Sequence, residues 1–198
     1  IIGPFSLAGR LLDVSEAMMA CYDAPDMVRT VLDRVTDFIM AYALAYRDAG
    51  ADGVMMAEPL AGILSPKLID AFSSTHVRRI VDAVRTDDFC FIYHNCGNNV
   101  PVLLDSILSI GADGYHFGNA IDLKQVLERM PEDVLVMGNV DPSSQFRNGT
   151  PEAIRDVTLG LLAQCSPHRN FVLSSGCDIP PLSSWDNIDA FFAANAEF

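Results

Sequence analysis

The sequence predicts an α/β fold, a (β/α) barrel of the TIM type with six βα units visible, and three observations lead there. Apolar runs of strand length alternate with amphipathic stretches of helical period. The tetrapeptide Gly-Ala-Asp-Gly occurs twice, at 50–53 and 111–114, each time between a helix and a strand. No G-x-G-x-x-G phosphate loop follows any strand, which disfavours an open doubly wound sheet and leaves an α/β layer fold as the alternative.

In chain order, the strand-like runs are residues 3–9, 53–57, 89–96, 114–117, 134–140 and 170–177. Between the first two, residues 27–49 set Val28, Val31, Leu32, Val35, Phe38 and Ile39 on one helical face, and Gly50 suits the left-handed residue that closes a helix. Ser65-Pro66 and Thr150-Pro151 each offer a hydroxyl N-cap followed by proline at the first helical position. A closed barrel of this kind has eight strands. The expectation is therefore a barrel truncated at its N-terminus, with residues 1–198 as one domain from the C-terminal portion of a longer chain.

Composition narrows the function classes. Half of the 198 residues are hydrophobic and 20% are charged, which suits one well-filled core. The net charge of −13 and the lack of any basic run argue against nucleic acid and against anionic membranes. No apolar run approaches the ~18–20 residues of a membrane span, and the start Ile1-Ile2-Gly3-Pro4 has no basic signal region. Five dispersed cysteines do not form a disulfide framework, so reduced thiols in a cytoplasm are expected.

The chemistry gathers on two runs. Strand alternation in 89–96 puts Cys90, Ile92, His94 and Cys96 on one face, and Phe89, Phe91 and Tyr93 on the other. Side chains two apart on a strand are about 6.6 Å apart along it, so His94 and Cys96 can converge on one ion where the strand gives way to Gly97-Asn98-Asn99. Cys177 ends the run 170–177 in the stretch Ser174-Ser175-Gly176-Cys177-Asp178. All three sit at the C-terminal strand edge, where barrel active sites lie. One imidazole and two thiolates suit zinc, and three protein ligands with one exchangeable position is a catalytic pattern. Small buried cysteines are the competing interpretation, and it is the one given to Cys21, Cys90 and Cys165.

With these residues in view, the sequence resembles the uroporphyrinogen decarboxylase superfamily, and within it the zinc-dependent corrinoid:thiol methyltransferases. The similarity covers essentially all 198 residues. It is carried by Gly3-Pro4-Phe5, Glu58-Pro59 with Leu64-Ser65-Pro66, and His94-Asn95-Cys96-Gly97. Gly138-Asn139-Val140-Asp141-Pro142 and Gly176-Cys177 complete it. The family's His-x-Cys plus distant Cys falls on His94, Cys96 and Cys177. Where those methyltransferases carry a carboxylate near the end of the next strand, this chain has Tyr115-His116-Phe117-Gly118-Asn119. The fourth ligand is therefore His116, Glu58 or water.

The resemblance implies a zinc-activated thiol such as coenzyme M accepting a methyl group from a methyl-corrinoid held by a separate corrinoid-carrying protein. Zinc coordination deprotonates a thiol that is otherwise mostly protonated at neutral pH. Glu58, Asn139 and Asp141, at strand ends, are the candidates for substrate contact or catalysis. For Glu58 a capping role, and for Asp141-Pro142 a turn and helix entry, weigh equally. The alternatives are decarboxylation of a tetrapyrrole, the activity for which the superfamily is named, and a non-catalytic corrinoid- or metal-binding module. A folate methyl donor is a further option.

Overall fold

Five strands alternate with helices along the chain, one strand fewer than the spacing predicts. The computed structural model describes residues 1–198, and strand order follows chain order. Its contacts divide it into two units, Ile1–Gly114 and Tyr115–Phe198.

In the first unit the expected strand at residues 3–9 is instead a helix, α1 (Pro4–Leu12). Only the residues ahead of it behave as a strand. The Ile1 amino group donates to the Met55 carbonyl (2.7 Å). The Ala57 amide donates to Ile1 and the Gly3 amide to Ala57, both at 2.8 Å. Pro4, at the first helical position, has no amide to continue such a ladder. Phe5, Ala8 and Gly9 are buried while Arg10 and Leu11 face out. That spacing is helical, and within so short a run it mimics a strand's continuous apolar pattern.

Helix α2 (Val14–Asp23) starts at Asp13, whose carboxylate accepts from the Ser15 amide. The long helix α3 (Pro25–Asp48) buries Val28, Leu32, Val35, Thr36, Ile39 and Ala43. Phe38, expected on that face, is 62% exposed. At 100° per residue it lies about 80° round from Val28, on the side away from the buried arc. It stacks on Tyr42 (6.2 Å between ring centres), which meets Tyr46 edge-on at 5.0 Å.

Strand β1 (Gly53–Ala57) pairs in parallel with β2 (Cys90–Asn95), from Gly53 opposite Cys90 to Ala57 opposite His94. Between them run a 3₁₀ turn, Pro59–Ile63, the short α4 (Pro66–Ile69) capped by Ser65, and a π turn, Asp70–Ser74. Then comes α5 (Thr75–Val84), which lies on α3 with Arg79 paired to Asp33 at 2.6 Å. Helix α6 (Val100–Leu108) follows β2. The two Gly-Ala-Asp-Gly copies do the same work: Gly50 (φ +88°) and Gly111 (φ +75°) take the left-handed conformation after α3 and α6.

Strand β3 (Gly114–Phe117) carries the chain into the second unit. There α7 (Leu123–Leu127), β4 (Leu135–Val140), a π turn at Pro142–Arg147, α8 (Pro151–Cys165), β5 (Phe171–Ser175) and α9 (Trp185–Glu197) succeed one another. Thr150 caps α8 through the Ala153 amide, as its sequence predicts. Strands β4 and β5 pair in parallel, with Val140 opposite Ser175. Val140, Phe146, Ile154 and Phe191 form the unit's buried apolar cluster. No helix is long and apolar enough to cross a membrane.

Candidate functional site

His94 is the next-to-last residue of β2, and Cys96 is the first residue beyond it. The imidazole is buried and the thiol half-buried. Their backbone is fixed from two directions. The Glu58 amide donates to the His94 carbonyl (2.9 Å). The side-chain amide of Asn95, fully buried, donates to the Glu58 carbonyl (2.9 Å) and to the Tyr93 hydroxyl (3.3 Å). Its oxygen accepts from the Gly97 amide at 2.9 Å, an Asx turn around Cys96. Gly97 in turn lies against Gly62: a Cβ on Gly97 would sit 2.7 Å from the Gly62 Cα, so neither position has room for a side chain.

Cys177 lies two residues beyond β5, also at a strand's C-terminal end, and is half-buried. The turn that presents it is held by the Ser175 hydroxyl, which donates to the Cys177 carbonyl (2.8 Å), and by the Gly176 amide, which donates to Val140 (2.7 Å). Gly176 is forced: a Cβ there would approach the Asn119 amide nitrogen to 2.6 Å. His116, buried on β3, places Nε2 2.7 Å from the Ser175 carbonyl and 3.2 Å from the Ser174 hydroxyl. A carbonyl only accepts, so Nε2 carries the proton. Burial lowers the His116 pKa below its ordinary value, against the opposing pull of the Ser175 carbonyl and the Asp178 charge.

Glu58 follows β1 directly and has no exposed surface. Its carboxylate accepts from the amides of Phe5 (2.9 Å) and Ser6 (2.6 Å), the first available donors of α1, and from the Ser73 hydroxyl (3.4 Å). It is thus an N-cap supplied from another part of the chain. Burial pushes its pKa up to about 7, while the hydrogen bonds from Ser6, Phe5 and Ser73 pull the other way. Beside this end of β1 lies a cavity of about 570 Å³ bordered by Ile1, Ile2, Ser6, Arg10, Pro59 and Leu60.

Asn139, within β4, donates to the carbonyls of Gly118 and Ile121, both at 3.0 Å, and so ties down the loop after β3. Asp141 accepts from the Ser143 (2.8 Å) and Ser144 (3.0 Å) amides and starts the Pro142–Arg147 turn. Burial works to raise its pKa, but those bonds outweigh it and hold the carboxyl below its usual value. Two organising residues escaped the sequence analysis, Asn95 and Ser175. The signal for Asn95 was present, an asparagine two residues before a glycine at a strand end. For Ser175 there was none.

The sequence pattern of the family described as Uroporphyrinogen decarboxylase (URO-D) matches residues 1–198. A uroporphyrinogen decarboxylase of Synechococcus sp. (strain CC9605) is 31% identical over 172 residues, 86% of this chain and 47% of the relative. The methylcobamide:CoM methyltransferase MtbA of Methanosarcina acetivorans is 30% identical over 174 residues, 82% of this chain and 50% of the relative. A solved structure, a methyltransferase from Methanosarcina mazei, superposes with a TM-score of 0.88 at 27% identity, covering 99% of this chain and 57% of that one. The chain spans about half the length of the curated relatives it matches.

Proposed function

Because this chain belongs to the uroporphyrinogen decarboxylase (URO-D) family, we propose that it serves methyl transfer from a methyl-corrinoid to a thiol, with zinc held by His94, Cys96 and Cys177. The observation that carries this is the donor set. One imidazole and two thiols, each at the C-terminal end of a parallel strand, are suited to a metal ion. Zinc favours such N/S sets, and three protein ligands leave one position for substrate. The relatives named methylcobamide:CoM methyltransferase support the same choice.

Zinc bound there would supply the Lewis acidity that keeps a thiol ionised at neutral pH. The chain's own residues do the rest. His94, Cys96 and Cys177 hold the ion. In this scheme the acceptor thiol takes the fourth position; both Glu58 oxygens are already engaged by α1 and Ser73, and His116 Nε2 by Ser175. Asn139 holds the loop after β3 and Asp141 the turn after β4. A separate corrinoid-carrying protein is the partner of this scheme, and the cytoplasm its place.

The test is metal content together with methyl transfer. The purified protein should hold one zinc per chain, lose it on Cys96→Ser or Cys177→Ser, and methylate coenzyme M from methylcobalamin only when zinc is restored after chelation. Transfer that persists without metal would overturn the mechanism. Decarboxylation is the second reading, favoured by the relatives at 28–31% identity that bear the decarboxylase name. Protein that purifies without stoichiometric zinc and releases carbon dioxide from uroporphyrinogen would establish it instead.

A further inference from the structure

We infer that Asn95 is the positioning residue of the metal site, setting the spacing of His94 and Cys96 without itself binding the ion. The inference rests on the zinc assignment above. Ligands two apart on an extended strand share a face but lie about 6.6 Å apart along it, so a turn at the second one is what draws them toward a single ion. Here the turn is made by one side chain. Asn95 is fully buried and every polar atom of its amide is engaged.

Its two functions separate by atom. Oδ1 accepts the Gly97 amide and bends the chain immediately after Cys96. Nδ2 donates to the Glu58 carbonyl, while the Glu58 amide donates to the His94 carbonyl, so the residue that follows β1 holds His94 and its neighbour as a pair. The bend is also limited from outside. A Cβ on Gly62 would collide with Asn95 Oδ1, and Gly62 and Gly97 meet backbone to backbone. Asn95 therefore has one place to sit, and the His94-to-Cys96 geometry follows from it. Groups that orient ligands from behind commonly change metal affinity by about 10- to 100-fold when removed.

The experiment compares wild type with Asn95→Ala and Asn95→Ser. Serine keeps an acceptor for the Gly97 amide but cannot bridge to Glu58 and Tyr93. Zinc affinity is read by chelator competition, site geometry by the visible bands of the Co(II)-substituted protein, and folding by the melting temperature of the metal-free form. Asn170→Ala is the structural control. Asn170 is likewise a buried amide, bonding the Pro131 and Val134 carbonyls at the opposite end of β5 from Cys177.

The expected result is zinc affinity weakened about 10- to 100-fold in Asn95→Ala, less in Asn95→Ser, and altered Co(II) bands in both. Asn170→Ala should lower the melting temperature and leave the bands unchanged. Unchanged affinity and bands in a folded Asn95→Ser would overturn the role of Asn95 alone. A wild type that binds no zinc would overturn the site assignment and this inference with it. Equal loss in Asn170→Ala would reduce Asn95 to general stability.

Discussion

Replacing Glu58 with glutamine should reverse the order of stability between pH 5 and pH 8. The carboxyl has no exposed surface, and its pKa is raised from 4.5 to about 7. In the unfolded chain it loses its proton near 4.5, whereas the folded protein keeps it until about 7. Between those values the folded state binds more protons, so stability is fully present below the lower pKa and is lost as pH rises through the upper one. At ~1.4 kcal/mol per pH unit the loss amounts to about 3 kcal/mol, a large share of the ~5–15 kcal/mol that holds a typical domain together.

Glutamine has nearly the same shape and does not titrate, but it presents an NH₂ group where the carboxylate presented a second oxygen. One of the Phe5 and Ser6 amides then faces a donor, at a cost of about 1–3 kcal/mol. In chelator-treated protein, urea unfolding should place the variant below wild type at pH 5 and level with it or above at pH 8, with a flatter pH profile. A variant less stable by the same amount at every pH would refute the reasoning. It would mean that the amides of α1 and its N-terminal dipole keep Glu58 ionised despite its burial.

Other changes have calculable signs. Phe191→Ala, in the cluster with Val140, Phe146 and Ile154, should cost about 3–5 kcal/mol by chemical denaturation. Two glycine replacements should diverge in thermal melts. Gly160→Ala sits in α8 with nothing near the new methyl and should stabilise by about 0.5–1 kcal/mol. Gly111→Ala has equally open space but a φ of +75° and should destabilise by about 1–2 kcal/mol.

Where regular structure follows from local rules, the sequence was readable. The strand-like runs became β1 to β5, two of them with unchanged ends and the others with ends shifted by at most two residues. Ser65 and Thr150 cap the helices they precede, and Gly50 and Gly111 close helices as their places in the repeat predict. Residues 3–9 were misjudged because Phe5, Ala8 and Gly9 among small apolar neighbours fit either period. What settles α1 is an acceptor more than fifty residues away, Glu58. Phe38 was misplaced because the sequence shows a stripe's hydrophobicity but not the width of the surface that will cover it.

The sequence alone determined the fold class and singled out His94, Cys96 and Cys177 as candidate metal ligands, the three donors that the fold groups together. Side-chain period and donor chemistry are properties of a residue and its near neighbours. The commitments of Glu58, Asn95 and His116 were decided only by tertiary structure. Each is a polar group whose role depends on which partner meets it after burial, and those partners, the α1 amides, the Glu58 carbonyl and the Ser175 carbonyl, lie 37 to 59 residues away. A buried polar group must be satisfied, but no local pattern records by what.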